Sequence, residues 1–414
     1  MKTYIGKFKR RAVGVLLAVI ITSVVPFVGC SQSKYDYFVD FSLSSEFFVD
    51  GKKLSAGQIA DLNSDISKLL HSIESSSDTE RDGSDLRRIA SAAAGERVTV
   101  NSYTAQMLKI SDLLYAKTNG TFSAAMYNVS ELWGFTPLFE GEYNRRRNSP
   151  SEEKLRAAGE NSRWHDVSFG NDWVEKKNSE VRLDFGGIAK GYMSDAVRAL
   201  LADEYRGKAL NGILNVMSSN TVLFGNKKTG SAERGYSVKI ENPRRLTTDV
   251  PEAAFLVGLS DVVLSTSADT YRFYVNEDRI YSHIIDPHTC APSQNGVIST
   301  TVIVPLSVEN AGAFSDALST AAFCMPLTQT LSFFEEQSRI YGVGAVIVTA
   351  DFRYYVVGDY SVLTRREYAQ QIGAENANNV QDVFVREKIE NASDIVLPCQ
   401  EEKNYISYVG EFFG

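Results

Sequence analysis

Four short stretches of the chain combine residue types that can do chemistry. In Asp184-Phe185-Gly186-Gly187-Ile188-Ala189-Lys190-Gly191-Tyr192 a carboxylate precedes two glycines and a lysine. Val181 to Phe185 alternates as a strand does and Ala189 to Tyr205 reads as a helix, so the glycines fall in a strand-to-helix turn. Free amides at a helix start, together with a lysine, suit a phosphate, and glycines admit close backbone approach. The stretch is neither a P-loop nor a GxGxxG fingerprint, and a tight turn with a solvated lysine reads the same residues equally well. In Tyr281 to Thr289, His283 and Asp286 stand at a strand end before a turn fixed by Pro287. Histidine is the natural proton acceptor near neutral pH. The competing reading is a histidine bonded to backbone with Asp286 capping the turn.

Asp316 and Thr320 lie four apart in an otherwise apolar helix, so they share a face, and their neighbours Phe314, Ala317, Leu318, Ala321, Ala322 and Phe323 point to a buried location. A carboxylate and a hydroxyl, completed by backbone carbonyls, make a hard-oxygen site suited to Mg²⁺. An exposed aspartate and a threonine bonded to its own helix is the alternative, but a half-buried carboxylate without a partner is costly, which favours a cation. Leu264 to Asp269 is a hydroxyl-rich turn after a strand, able to line a ligand site or simply to turn. No GxSxG occurs, which argues against serine hydrolase chemistry. His71 and His165 have no partner spacing.

Positioning these groups requires a mixed set of elements. Residues 38–57 read as strands around Asp50-Gly51, residues 58–74 and 103–118 as amphipathic helices, and 75–85 and 140–163 as polar surface loops. Strands are expected over 213–224, 255–264, 297–304, 343–349 and 354–357. A hairpin is expected around Asn276-Glu277-Asp278, and a helix over 311–323. Strands and helices mix without regular alternation, which predicts an α+β fold rather than a doubly wound sheet. The expected organisation is a domain over 38–360 and a polar helical appendage over 361–414.

Composition sets the boundaries. The 414 residues are 43% hydrophobic and 23% charged, which excludes a mainly disordered chain, and the net charge of -8 argues against nucleic acid as partner. Lys2, Lys7, Lys9, Arg10 and Arg11 precede an uncharged apolar run from Ala12 to Val28, followed by Gly29-Cys30. This reads as a bacterial lipoprotein signal over 1–29, with Cys30 as the lipidated N-terminus and 30–37 as a tether. An uncleaved anchor is the alternative, though the run is shorter than the roughly 20 residues a spanning helix needs. Either reading places the folded part outside the cytoplasm, in the periplasm or on the outer face of the cytoplasmic membrane. Removing 1–29 takes five of the 43 basic residues and none of the 51 acidic ones, so the mature part is more acidic still. Cys290, Cys324 and Cys399 are far apart and odd in number, which supports neither a thiolate metal site nor a disulfide framework.

Taken in order and spacing, these motifs resemble the ApbE family of FAD:protein FMN transferases. The resemblance is carried by Asp184 to Tyr192, Thr266-Ser267-Ala268, Ser282 to Thr289, Ser315 to Thr320 and the upstream Gly120 to Phe135, and it spans roughly 38–360. It implies a mixed α/β fold with a T-fold-like core. The activity it implies is Mg²⁺-dependent cleavage of FAD, with FMN joined through its phosphate to a Ser or Thr of an acceptor protein and AMP released. The implied metal ligands are the Gly187 carbonyl and the side chains of Asp316 and Thr320. Implied FAD contacts are Asp184, Lys190, the backbone near Ile285, and Thr121-Phe122-Ser123, and His283 is the candidate base. The chain has no acceptor motif of its own, so a separate protein is expected, such as a membrane electron-transfer subunit. Departures from the family pattern fall at Ser123 for Asp, Ser218 and Ser219 for the glycines of an Asn-rich loop, Ala268 for Gly and Cys290 for Gly. They keep two alternatives open: a Mg²⁺-dependent FAD pyrophosphatase giving FMN and AMP, and a non-catalytic flavin-binding lipoprotein.

Overall fold

The strand Val297–Pro305 shows why a central sheet forms. It is mostly β-branched and buried from Val297 to Val304, as a run covered on both faces must be. Val302 and Val304 enter one apolar cluster and Ile303 the other. A bulge between Val297 and Ser299 resets the alternation, so that Ile298 joins Ile303. Gly344–Thr349 repeats the pattern, with Ala345 and Ile347 on one side and Val346 and Val348 on the other.

The computed structural model describes residues 40–139, 142–229 and 232–413. The expected signal over 1–29, the lipidation at Cys30 and the tether 30–37 lie outside the described residues. The described residues form one unit. Its main sheet has ten strands, in the order Val385–Arg386, Arg353–Val357, Gly344–Thr349, Val297–Pro305, Val262–Ala268, Asn220–Phe224, Leu210–Val216, Phe48–Val49 and Lys52–Lys53, with Phe41–Leu43 also paired to Leu210–Val216. Neighbours are antiparallel except Arg353–Val357 with Val385–Arg386, which are parallel. Helices cover one face. The other is covered by a smaller sheet of Tyr236–Glu241, Glu252–Leu259 and Ser361–Leu363. The α+β expectation holds.

Two helices of the covered face position the chemistry: a lysine helix, Ala189–Glu204, and an aspartate helix, Ala311–Cys324. They touch through glycine. A Cβ on Gly191 would stand 2.0 Å from the Gly312 carbonyl oxygen, and one on Gly312 would stand 2.3 Å from the Gly191 carbonyl oxygen. No side chain fits there, so both glycines are required for the crossing. Asp195 then caps the aspartate helix, accepting the amides of Gly312 at 2.9 Å and Ala313 at 2.8 Å.

Five expectations change. Residues 264–268, read as a turn after a strand, lie within the strand Val262–Ala268 and pair with Val297–Pro305. Residues 181–185 join no ladder, although Val181, Leu183 and Phe185 are buried in alternation. The segment is extended and held by the Asp184 amide donating to the Ala124 carbonyl at 2.8 Å. The expected strand 255–264 divides at Ser260-Asp261, where Asp261 is left-handed, into Glu252–Leu259 and Val262–Ala268, which belong to different sheets. The supposed loop 140–163 contains a strand, Arg145–Arg146, beside Phe273–Asn276, and a helix, Glu152–Glu160. Residues 361–414, expected as an appendage, are woven into the body. Ser361–Leu363 and Val385–Arg386 join two sheets, and the C-terminal helix Gln400–Phe413 buries Glu402, Tyr405, Ile406 and Val409.

Candidate functional site

The turn after Asp184 is closed by its own side chain: Oδ1 accepts the Gly186 amide at 2.7 Å. Lys190, in the first turn of the lysine helix, donates back to the Gly186 carbonyl at 2.7 Å. It is not the solvated lysine of the competing sequence reading, because Nζ also lies 3.2 Å from Asp316 Oδ1 and the side chain is largely covered. The other Asp316 oxygen accepts the Gly191 amide at 3.1 Å. Asp316 is 3% exposed, so the buried location expected from its neighbours is correct, but its counter-charge is a lysine.

Thr320 stands one turn further along. Its hydroxyl donates to the Asp316 carbonyl at 3.3 Å, as a helical threonine can, and lies 3.3 Å from the Ser267 hydroxyl. Ser267 and Ser319 hydroxyls are 2.8 Å apart. Gly187 completes the group: a Cβ there would be 3.4 Å from Thr320 Oγ1 and 3.2 Å from the Phe122 ring. Gly187, Phe122, Lys190, Asp316, Thr320 and Ser267 therefore converge. Among the described residues no three His, Cys, Asp or Glu side chains gather as metal ligands. A cation here would rest on one carboxylate, a hydroxyl and carbonyls, a donor set that fits Mg²⁺ if substrate phosphate and water fill the remaining positions.

His283 faces the same charges from the hairpin Phe273–Asn276 and Arg279–Ser282. Its amide donates to the Arg272 carbonyl at 2.9 Å, and its Nδ1 lies 3.3 Å from the same oxygen. A carbonyl only accepts, so Nδ1 carries the proton and Nε2 keeps a lone pair. Burial, joined by the positive charges of Arg272 and Lys190, lowers the His283 pKa to about 3 against the opposing pull of the Arg272 carbonyl bond, so the ring is neutral. Burial also raises the pKa of Asp184, opposed by the Gly186 amide, Lys190 and Arg272. Both side chains are recessed in protein while keeping part of their surface open. Phe135 stands edge-on to the imidazole at 6.4 Å.

Other expected contacts fit less directly. The Thr121 hydroxyl turns back to the Thr118 carbonyl at 2.6 Å, and Ser123 accepts the Ala125 amide at 3.2 Å. Ile285 is buried with Trp133 and Phe135, and its carbonyl accepts the Cys324 thiol at 3.5 Å. Asp286 caps its turn by accepting the His288 amide at 2.9 Å. Arg272 belongs to none of the sequence motifs. The signal that finds it is the hairpin register, which pairs Phe273 with Ser282 and so sets Arg272 opposite His283.

The sequence model of the ApbE family matches residues 39–343. The FAD:protein FMN transferase of Vibrio cholerae is 27% identical over 243 residues, covering 58% of this chain and 68% of that protein. That of Treponema pallidum is 25% identical over 311 residues, covering 73% and 80%. Among solved structures, flavin transferase ApbE from Vibrio cholerae superposes with a TM-score of 0.61 at 23% identity, covering 77% of this chain and 97% of that one. The ApbE protein from Thermotoga maritima gives 0.61 at 24% identity, covering 78% and 96%. The structural likenesses establish the shared fold.

Proposed function

Because the chain belongs to the ApbE family, whose sequence model spans residues 39–343, we propose that it is an FAD:protein FMN transferase. In this reaction the FMN phosphoryl group passes from FAD to a Ser or Thr hydroxyl of an acceptor protein, the P–O bond to AMP breaks, and AMP leaves. The observation that carries this reading is the shared charge field. Lys190 is paired to Asp316 and its charge reaches both Asp184 and His283, which supports reading the three sequence motifs as parts of one site.

Each residue then has a definable task. Asp316 Oδ1, the Thr320 hydroxyl and the Gly187 carbonyl would hold Mg²⁺. When bound, that ion supplies charge neutralisation for the diphosphate. Lys190 and Arg272 bring positive charge to the same place, favouring an anionic substrate. His283 offers Nε2 to the acceptor hydroxyl. With Nδ1 fixed on the Arg272 carbonyl, the ring cannot present the wrong tautomer, and Nε2 takes the proton as the new P–O bond forms. Burial is the main cause of the lowered imidazole pKa, and an arriving diphosphate offsets the Arg272 and Lys190 charges that add to it, which makes the base stronger when substrate is bound.

The Cys30 pattern supports a lipid-anchored protein outside the cytoplasm, close to a membrane-bound acceptor. Cys30→Ala should move the protein from the membrane to the soluble fraction. Incubating the protein with FAD, Mg²⁺ and an acceptor domain tests the activity itself. A flavin fluorescent band surviving denaturation is the expected result. Free FMN and AMP with unlabelled acceptor would identify a pyrophosphatase, and saturable FAD binding with neither product a binding protein.

A further inference from the structure

Lys190 Nζ occupies the position that a cation held by Asp316 needs. It lies 3.2 Å from Oδ1 and 2.7 Å from the Gly186 carbonyl, while Oδ2 is already committed to the Gly191 amide. Oδ1 is therefore the oxygen with capacity for a further cation, and the ammonium is on it. A carboxylate this deeply buried is costly without a counter-charge, which explains why the lysine reaches it. Two cations cannot share one oxygen at contact distance without strong repulsion in a poorly solvated site.

We propose that Lys190 is a built-in counter-ion, holding Asp316 while the metal position is empty and leaving it when a divalent ion binds. This rests on the metal site assigned under the proposed function. The lysine is suited to the exchange. It is a point charge on a flexible stem, anchored in the first turn of its helix, and its charge already reaches Asp184 and His283. Once released, the ammonium can turn to that side and meet an anionic phosphate. Metal binding thus prepares the second positive group for the substrate, and by linkage the phosphate, in taking the lysine, tightens the metal. Without metal, the carboxylate and the lysine silence each other, and neither offers free charge to a wrong ligand.

The test follows Lys190 directly in the full chain without FAD. Amine acetylation is read residue by residue by mass spectrometry while Mg²⁺ is titrated, with the exposed Lys68 as reference. Acetylation of Lys190 should rise severalfold and saturate, while Lys68 stays constant. In parallel, Mn²⁺ binding measured by electron paramagnetic resonance should be about tenfold tighter or more in Lys190→Met than in the wild type, since a competing charge has gone. If Mn²⁺ binds the wild type but acetylation stays flat, the exchange is wrong and the metal reading survives. If Mn²⁺ binds neither protein, the metal reading falls and the exchange with it. Should Lys190→Met fail to fold, the wild-type acetylation series decides alone.

Discussion

Replacing Arg244 should cost this fold far more than neutralising Glu402, for reasons of charge count. Arg244 is 1% exposed. Its Nη1 and Nη2 donate to the Asp269 oxygens at 2.7 and 2.8 Å, and its Nε and Nη2 donate to Glu402 at 3.0 and 2.8 Å. Two buried carboxylates thus share one cation, which ties the C-terminal helix to the residue following the strand that carries Ser267. Arg244→Ala leaves both carboxylates unpaired and facing each other. Breaking a buried pair costs about 3–5 kcal/mol, so a loss of about 5 kcal/mol is expected. Glu402→Gln keeps the shape and leaves Arg244 balanced by Asp269, so a loss within about 1 kcal/mol is expected. Burial, and secondarily the Asp269 charge, raise the Glu402 pKa against the pull of Arg244. The folded value lies above the unfolded 4.5, so the fold favours the protonated acid, and the wild type gains on Glu402→Gln as pH falls toward 4.5. Urea unfolding of the full chain and both variants at pH 7 and 5 reads these differences. Equal losses in the two variants, or an Arg244→Ala loss under about 1 kcal/mol, would refute the reasoning.

Three other perturbations probe the site and its frame. Asp316→Asn should lower AMP release from FAD by about a thousandfold, since it removes the carboxylate assigned to the divalent ion; retention of a tenth of the rate would take Asp316 out of the site. His283, with a folded pKa of about 3 against 6.5 unfolded, leaves the unfolded chain to bind the proton first. Its contribution is therefore present above pH 6.5 and lost on acidification, by about 2 kcal/mol at pH 5. The stability advantage of wild type over His283→Asn should shrink by that amount between pH 7 and 5 in urea titrations, and parallel curves would contradict it. Met217 and Ser218 both adopt left-handed backbone, at φ 49° and 57°. Ser218→Gly should therefore stabilise by about 0.5–1 kcal/mol in thermal unfolding, and a lowered Tm would show that no strain is stored there.

What could be read from the residues alone divides along physical lines. The lysine and aspartate helices, the hairpin and the central strands are written in local periodicity, and one helical turn is enough to bring Asp316 and Thr320 together. The pairing of Lys190 with Asp316 depends on two helices crossing at Gly191 and Gly312, a tertiary fact with no local signature. Residues 181–185 carry the alternation of a strand, yet burial alone satisfies it and no partner strand arrives. The C-terminal segment looked polar because its anchoring group, Glu402, is an acid; only Arg244, far away in sequence, makes its burial intelligible. Arg272 could have been found by extending the hairpin register one pair beyond Phe273 and Ser282.

The most direct measurement is the fate of the phosphoryl group. Full-length protein, FAD, Mg²⁺ and an acceptor domain bearing a target Ser or Thr are incubated, and the denatured acceptor is weighed by mass spectrometry. A mass increase of one FMN, matched by an equal amount of AMP and absent in Asp316→Asn, is the outcome expected if Asp316, Thr320, Lys190 and His283 form one transferase site. An acceptor of unchanged mass, with FMN and AMP free in solution or FAD left intact, would contradict it.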